Sequence, residues 1–207
     1  MLRTMAAMLI VALSIARGVG APGAALAAEA AVVIPAPALD NPRGPGPAQT
    51  AVIAGGCFWG VQGVYQHVRG VQQVLSGYAG GTKATADYEA VSRGDTGHAE
   101  AVEVVFDPSK ISYEDILGYF FRMHDPTTPN RQGNDVGTSY RSAIFYHDEE
   151  QKKVAERVKE QVNRSGKWKN PVVTEIVPAP EFYDAEEYHQ KYLVKNPGGY
   201  TCHYLRN

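Results

Sequence analysis

The chain has 207 residues and a formal net charge of −2, from 20 Lys and Arg against 22 Asp and Glu. That balance gives no electrostatic footprint for nucleic acid or for an anionic membrane surface. Its only cysteines, Cys57 and Cys202, exclude a disulfide-dense scaffold, and the length fits one domain with ends outside the fold.

The chain opens as an export signal. Arg3 supplies a positive start, and Ala6 to Ala16 is an apolar stretch too short to span a bilayer as a helix. Small residues follow and end in Ala25-Leu26-Ala27, a cleavage pattern that assigns residues 1–27 to a signal peptide. A retained N-terminal anchor is the alternative, and Arg17 with the Gly and Pro after it argues against that. The mature protein is therefore expected in the periplasm or outside the cell, without stable membrane insertion. Residues 28–49 carry Pro35, Pro37, Pro42, Pro45 and Pro47, which remove backbone donors and favour extended, unpaired chain. They read as a linker, and residues 50–207 as the folded domain.

Within that domain Ala51–Ala54 predicts a buried strand. Gly55 and Gly56 break it, and the apolar spacing from Phe58 to His67 predicts a helix with Cys57 at its start. Val71–Tyr78 is β-prone, and Glu100–Phe106 predicts a strand ended by Asp107-Pro108. Ser112 and Asp115 have the spacing of a capping box ahead of Ile116, Leu117, Tyr119 and Phe120. Residues 125–139 predict a long loop, and Ser142–Tyr146 a strand. Asp148–Asn163 predicts a polar helix with Val154, Val158 and Val162 on one stripe. Val172–Val177 predicts a strand and Asp184–Leu193 a helix. The Gly-containing tail from Lys195 is expected to be mobile. The pattern is mixed α/β; strand order is not legible in it.

The chemistry centres on Cys57. Thiolate is the nucleophilic form, and a helix N-terminus lowers a thiol pKa through its free N–H groups and dipole. Gly55 and Gly56 permit a tight turn that leaves the sulfur approachable. Phe58 and Trp59 offer apolar surface for a small group such as a methyl on sulfur. The plainer reading makes Cys57 a small core hydrophobe, and spacing alone does not choose between the two.

A set of motifs does bear on that choice. Gly55-Gly56-Cys57-Phe58-Trp59-Gly60, Gly94-Asp95-Thr96-Gly97-His98-Ala99-Glu100, His124-Asp125-Pro126, the run Arg131 to Ser142, Glu187 to Leu193 and Asn196 to Tyr200 lie in one order along the domain. Together they resemble the A-type peptide-methionine sulfoxide reductases. The resemblance implies a single compact two-layer α/β sandwich of ferredoxin-like kind, with a mixed sheet and a mobile C-terminal tail. It implies reduction of the S epimer of methionine sulfoxide, free or in oxidised proteins, with no cofactor. Cys57 would be the nucleophile, and Glu100 the acid that makes the sulfoxide oxygen a leaving group. Tyr88 and Tyr140, two of 12 tyrosines, would bind the same oxygen. Asp135 would orient its neighbours, and Phe58 and Trp59 would line the methyl pocket. Cys202 would condense with the Cys57 sulfenic acid to a disulfide, which a thioredoxin-like dithiol reduces. The chain ends soon after Cys202, unlike relatives with two late cysteines, so one disulfide is expected instead of a relay.

The residues leave other readings open. Glu100 could be an exposed strand-start carboxylate, Asp135 a turn residue, and Cys57–Cys202 a static disulfide. His98, His124, His189 or His203 could pair with Cys57 in a hydrolase or acyltransferase. Cys57, Cys202, His98 and His203 could hold a metal, although zinc sites favour paired short spacings absent here. A secreted, disulfide-stabilised binding module is a further alternative. Nothing in the sequence points to an oligomer, so a monomer is expected.

Overall fold

The computed structural model describes residues 46–206. The signal peptide reading and residues 28–45 of the linker lie outside them. Thirteen elements follow in chain order: β1 (Gln49–Gly55), α1 (Phe58–Tyr65), β2 (Val71–Ala79), α2 (Tyr88–Ser92), β3 (Ala99–Phe106), α3 (Tyr113–Met123), β4 (Arg131–Gln132), β5 (Asp135–Val136), β6 (Ser142–Tyr146), α4 (Glu149–Arg164), β7 (Glu175–Pro178), β8 (Phe182–Asp184) and α5 (Tyr192–Lys195). No helix among the described residues is long and apolar enough to cross a membrane.

Six strands form one sheet in the order β7-β6-β1-β3-β2-β8. Its centre, β6-β1-β3-β2, is antiparallel throughout. With α1 and α3 as connections this is the split βαββαβ arrangement of ferredoxin-like folds. β7 adds to one edge in parallel and β8 to the other in antiparallel, so the sheet is mixed, as expected.

The strand period explains both the core and the site. Alternate residues of a strand face opposite sides. Ala51, Ile53, Val102, Val104 and Phe106 join the main core with Phe58, Tyr65, Leu117, Phe120 and Phe121. Val52, Ala54, Ala99, Ala101 and Phe145 form a smaller cluster on the reverse face. Glu100 shares the parity of Val102 and Val104, so its carboxyl points to the main-core side, where α1 begins.

Local signals account for most boundaries. The capping box forms: Ser112 Oγ accepts from Asp115 N at 3.0 Å, and Asp115 Oδ2 accepts from Ser112 N at 3.1 Å. Asp148 caps α4, accepting from Gln151 N at 2.8 Å. Val154, Val158 and Val162 are buried as their stripe predicted.

Four regions depart from the sequence reading. Residues 125–139 are not a plain loop, because β4 and β5 pair as a two-stranded ribbon followed by a single 3₁₀ turn at Thr138–Tyr140. The strand predicted at Val172–Val177 begins only at Glu175. The helix predicted over Asp184–Leu193 does not form. Asp184 instead ends an edge strand on β2, and Lys191 takes a left-handed φ of 53°. Between them the buried Gln190 carboxamide accepts from Ser76 N and donates to Ser76 O and Ala185 O, so tertiary bonds replace helical ones. Finally, the tail expected to be mobile is docked. His203 and Arg206 are buried, and Arg206 exchanges backbone and side-chain bonds with Arg122 at 2.8–3.0 Å.

Candidate active site

The turn from β1 into α1 builds the first half of the site. Gly56 holds φ +97°, a region that favours glycine, and Cys57 is the N-cap residue of α1. The first free amides of the helix are divided between two groups. Phe58 N–H donates to Glu100 Oε2 at 3.1 Å, and the Trp59 N–H faces the Cys57 sulfur without closing a cap hydrogen bond, lowering the thiol pKa only electrostatically. Cys57 and Glu100 are both buried, at 6% and 3% exposure, so they share one water-poor space.

That burial reverses one expectation. The helix start was expected to lower the Cys57 pKa; the thiol is instead raised far above its ordinary range. Desolvation is the largest cause, followed by the Glu100 charge, and the Trp59 amide only partly opposes them. Glu100 is pushed up to about 8, again chiefly by burial, against the opposing bonds from Phe58 N–H and the Tyr140 hydroxyl. At neutral pH the pair therefore rests as thiol beside neutral carboxyl. The exposed-carboxylate reading of Glu100 is excluded.

Tyr140 comes from the 3₁₀ turn and its hydroxyl bonds Glu100. Tyr88 opens α2, with its backbone N–H held by Glu186 Oε1 at 2.9 Å. Both phenols are half-buried, both are raised by burial, and both feel the charges of Glu100 and Cys57. They remain neutral donors. Glu186 had no role in the sequence reading. It also accepts from the Tyr78 hydroxyl at 2.8 Å, so one carboxylate braces two tyrosines.

Phe58 and Trp59 differ. Phe58 is 1% exposed and packs on Tyr78 and His189, backing the site from the core. Trp59 is partly exposed, stacks on Tyr192 at 3.7 Å between centroids, and donates from Nε1 to His189 Nδ1 at 2.9 Å. His189 thus orients the indole. Sequence reasoning quoted its motif but missed this partnership, because the residues are 130 apart in the chain.

The second half of the site comes from the tail and the β4–β5 ribbon. Cys202 and Cys57 are both free thiols, so no static disulfide is present. Cys202 Sγ lies 3.6 Å from Asp135 Oδ2 and 3.5 Å from His203 Nδ1, and it accepts a bond from the Cys57 backbone N–H. Burial, then Asp135, pushes the Cys202 thiol up to about 12. Asp135, itself raised by burial, also accepts from the Tyr200 hydroxyl, so it orients two tail side chains and is more than a turn residue.

The other histidines are occupied elsewhere. His98 accepts from Gly81 N and bonds Thr82 O. His124 bridges Phe120 O and Ser142 Oγ and is kept neutral by burial, with its pKa near 3. Among the described residues no histidine is hydrogen-bonded to the Cys57 sulfur, which leaves the Cys–His hydrolase without its pair. Nor do the described residues contain a group of three or more His, Cys, Asp or Glu able to hold a metal.

Comparison with known proteins agrees with this geometry. The profile of the family described as peptide methionine sulfoxide reductase matches residues 49–207. A peptide methionine sulfoxide reductase MsrA of Nocardia farcinica is 54% identical over 156 residues, covering 75% of this chain and 89% of its own. The reduced form of Mxr1 from Saccharomyces cerevisiae superposes with a TM-score of 0.74 at 40% identity, over 79% of this chain and 96% of its own. Mxr1 in complex with Trx2 superposes at 0.54 and 28% identity, over 79% and 95%. The chain belongs to the peptide methionine sulfoxide reductase family.

Proposed function

We propose that this family member reduces the S epimer of methionine sulfoxide, free or within oxidised proteins, with Cys57 as nucleophile, Glu100 as acid and Cys202 as resolving thiol. The observation that carries the reading is the Glu100 carboxyl, buried and held by the Phe58 amide at the helix start that bears an equally buried Cys57 thiol, so that burial favours its neutral form. A sulfoxide oxygen leaves only when protonated or strongly hydrogen-bonded. Glu100, Tyr88 and Tyr140 supply three neutral donors at one place.

The proton count closes within the site. Glu100 gives its proton to the sulfoxide oxygen as the Cys57 sulfur bonds to the sulfoxide sulfur, and recovers one from the thiol. The hydroxyl then passes to the Cys57 sulfur as the methionine sulfur loses its bonds to both and keeps an electron pair. The products are methionine and a Cys57 sulfenic acid, so no external base is needed and a high thiol pKa is compatible with attack. Cys202 then displaces the hydroxyl as water and forms the Cys57–Cys202 disulfide. A thioredoxin-type dithiol reduces that bond, a role supported by the Mxr1–Trx2 complex.

The signal-like start adds a location. The mature enzyme works outside the cytoplasm, where the environment is kept oxidising, so a thioredoxin-like protein fed across the membrane must deliver the electrons. A reporter fused after residue 27 and found only in the cytoplasm would remove that part. The activity itself is tested by methionine release from free and peptide-bound methionine sulfoxide, with dithiothreitol as reductant. Full activity in Cys57→Ser would end the reading.

A further inference from the structure

We propose that His203 is the positioning residue of the second half-reaction: its ring ties the Cys202 sulfur to the end of the strand that presents Cys57. This rests on Cys202 being the resolving thiol. His203 Nε2 lies 2.6 Å from the Gly55 carbonyl oxygen, two residues before Cys57. A carbonyl only accepts, so Nε2 carries the hydrogen and Nδ1 presents a lone pair. Burial keeps the ring neutral, with its pKa pushed down to about 4, and Arg206 nearby opposes protonation further. Nδ1 is 3.5 Å from Cys202 Sγ, in place to accept the thiol hydrogen.

The ring has a prepared slot. A Cβ on Gly60 would stand 2.3 Å from His203 Nδ1, and one on Gly56 would stand 3.3 Å from Cε1. Gly60 is therefore bare where the imidazole sits, while Gly56, where a Cβ would first meet Gln132 carbons at 2.6 Å, borders the slot. The tail lacks regular secondary structure here, so backbone pairing does not set the height of Cys202. Thr201 Oγ1 accepts from His203 N at 3.1 Å and steadies the same corner.

In the step served, the Cys202 sulfur bonds to the Cys57 sulfur as the S–O bond of the sulfenic acid breaks. The thiol hydrogen leaves with the hydroxyl as water. Cys57 sulfur is reduced as Cys202 sulfur is oxidised, so the step needs no further reagent. Asp135, 3.6 Å from the same thiol, is the other hydrogen acceptor.

The test separates the two half-reactions in rapid-quench experiments on the full chain with methionine sulfoxide. One measurement is the burst of methionine, and the other is loss of free thiol alongside capture of sulfenic acid by a cyclic dione. His203→Phe keeps the bulk and removes both ring nitrogens. His203→Asn keeps an acceptor where Nδ1 stands, and His203→Gln keeps only a donor toward Gly55. The burst should stay at one methionine per enzyme in all three. Disulfide formation should slow at least tenfold in His203→Phe, with trapped sulfenic acid accumulating, and Asn should be at least threefold faster than Gln. A wild-type disulfide rate in His203→Phe overturns the proposal, as do equal rates for Asn and Gln. Should His203→Phe fail to fold, the Asn–Gln comparison decides alone. Cys202→Ser is the reference: if it cycles with thioredoxin like wild type, the resolving-thiol reading has failed first.

Discussion

The two thiols reach the same site by different means. Cys57 is placed by the fold: β1 is buried on both faces, α1 packs on the main core, and the turn between them leaves the sulfur little freedom. Cys202 is placed by individual polar bonds from a segment without helix or strand, to Asp135, His203 and the Cys57 amide. Apolar burial is spread over many contacts and tolerates single losses, whereas a few hydrogen bonds of about 1 kcal/mol each do not. The proposed nucleophile is thus a fixed point and the proposed resolving thiol an adjustable one, which suits a residue that would change partners in each cycle.

The sharpest way to break the comparison is to remove each thiol. Cys57→Ser should release no methionine above background with any reductant, a loss of at least ~10⁴-fold. Its melting temperature should stay within about 2 °C of wild type, since one small buried group changes. Cys202→Ser should keep the burst of one methionine but lose roughly 100-fold or more in steady-state turnover with thioredoxin, while dithiothreitol restores part of it. Equal loss of burst and turnover in Cys202→Ser would mean that both thiols act in the first step.

Glu100→Gln probes the electrostatics of the fixed half. Removing a general acid should cost about 10²–10³-fold in the burst rate. The sign of the stability effect is opposite. Glu100 has a folded pKa of about 8 against an ordinary 4.5. Its contribution is therefore most favourable below about 4.5 and is progressively lost as pH rises toward 8. At pH 7 the penalty is about 3 kcal/mol by linkage. Glu100→Gln should therefore melt several degrees higher at pH 7, with the gain fading toward pH 4, as followed by calorimetry. Wild-type burst rates should fall as pH passes about 8, because the carboxyl then ionises and no longer donates. A melting temperature in Glu100→Gln that is unchanged at both pH values would show that this carboxyl is not strained by burial.

How legible each half was in the sequence follows the same division. The double glycine, the capping box and the α4 stripe are local patterns, and each produced the element it implied. Glu100 was open to an exposed reading by residue type, and the parity it shares with the core residues Val102 and Val104 is what turns its carboxyl inward. The thiol pKa was misread because a helix start is a local feature but desolvation depends on what packs above it. The helix predicted over Asp184–Leu193 gives way to the Gln190 bonds with Ser76, 114 residues away, and to Lys191 N–H donating to Gln62 Oε1, 129 residues away. The Trp59–His189 and Glu186–Tyr78 bonds also span more than 100 residues, and no spacing rule reaches that far. The docking of the tail likewise rests on distant partners, Asp135, Gly55 and Arg122, which no local pattern names.

The smallest expected effect tests whether the adjustable half is held by the slot in α1. Gly60→Ala would add a methyl 2.3 Å from His203 Nδ1 and 2.5 Å from Thr201 Oγ1. Both belong to the tail, so the tail must yield, since α1 is fixed by the core. Within α1 the same change is favourable, because alanine exceeds glycine in helix propensity by about 1 kcal/mol. Global stability should therefore shift by less than about 1 kcal/mol in either direction, as read by urea unfolding. Disulfide formation after the burst should slow about three- to tenfold, because displacing Cys202 costs roughly one hydrogen bond of orientation. The burst should be untouched, since the atoms nearest the new methyl belong to the tail side chains of His203 and Thr201. A Gly60→Ala protein that slows the burst and the disulfide step by the same factor would show that the two thiols are positioned as one unit.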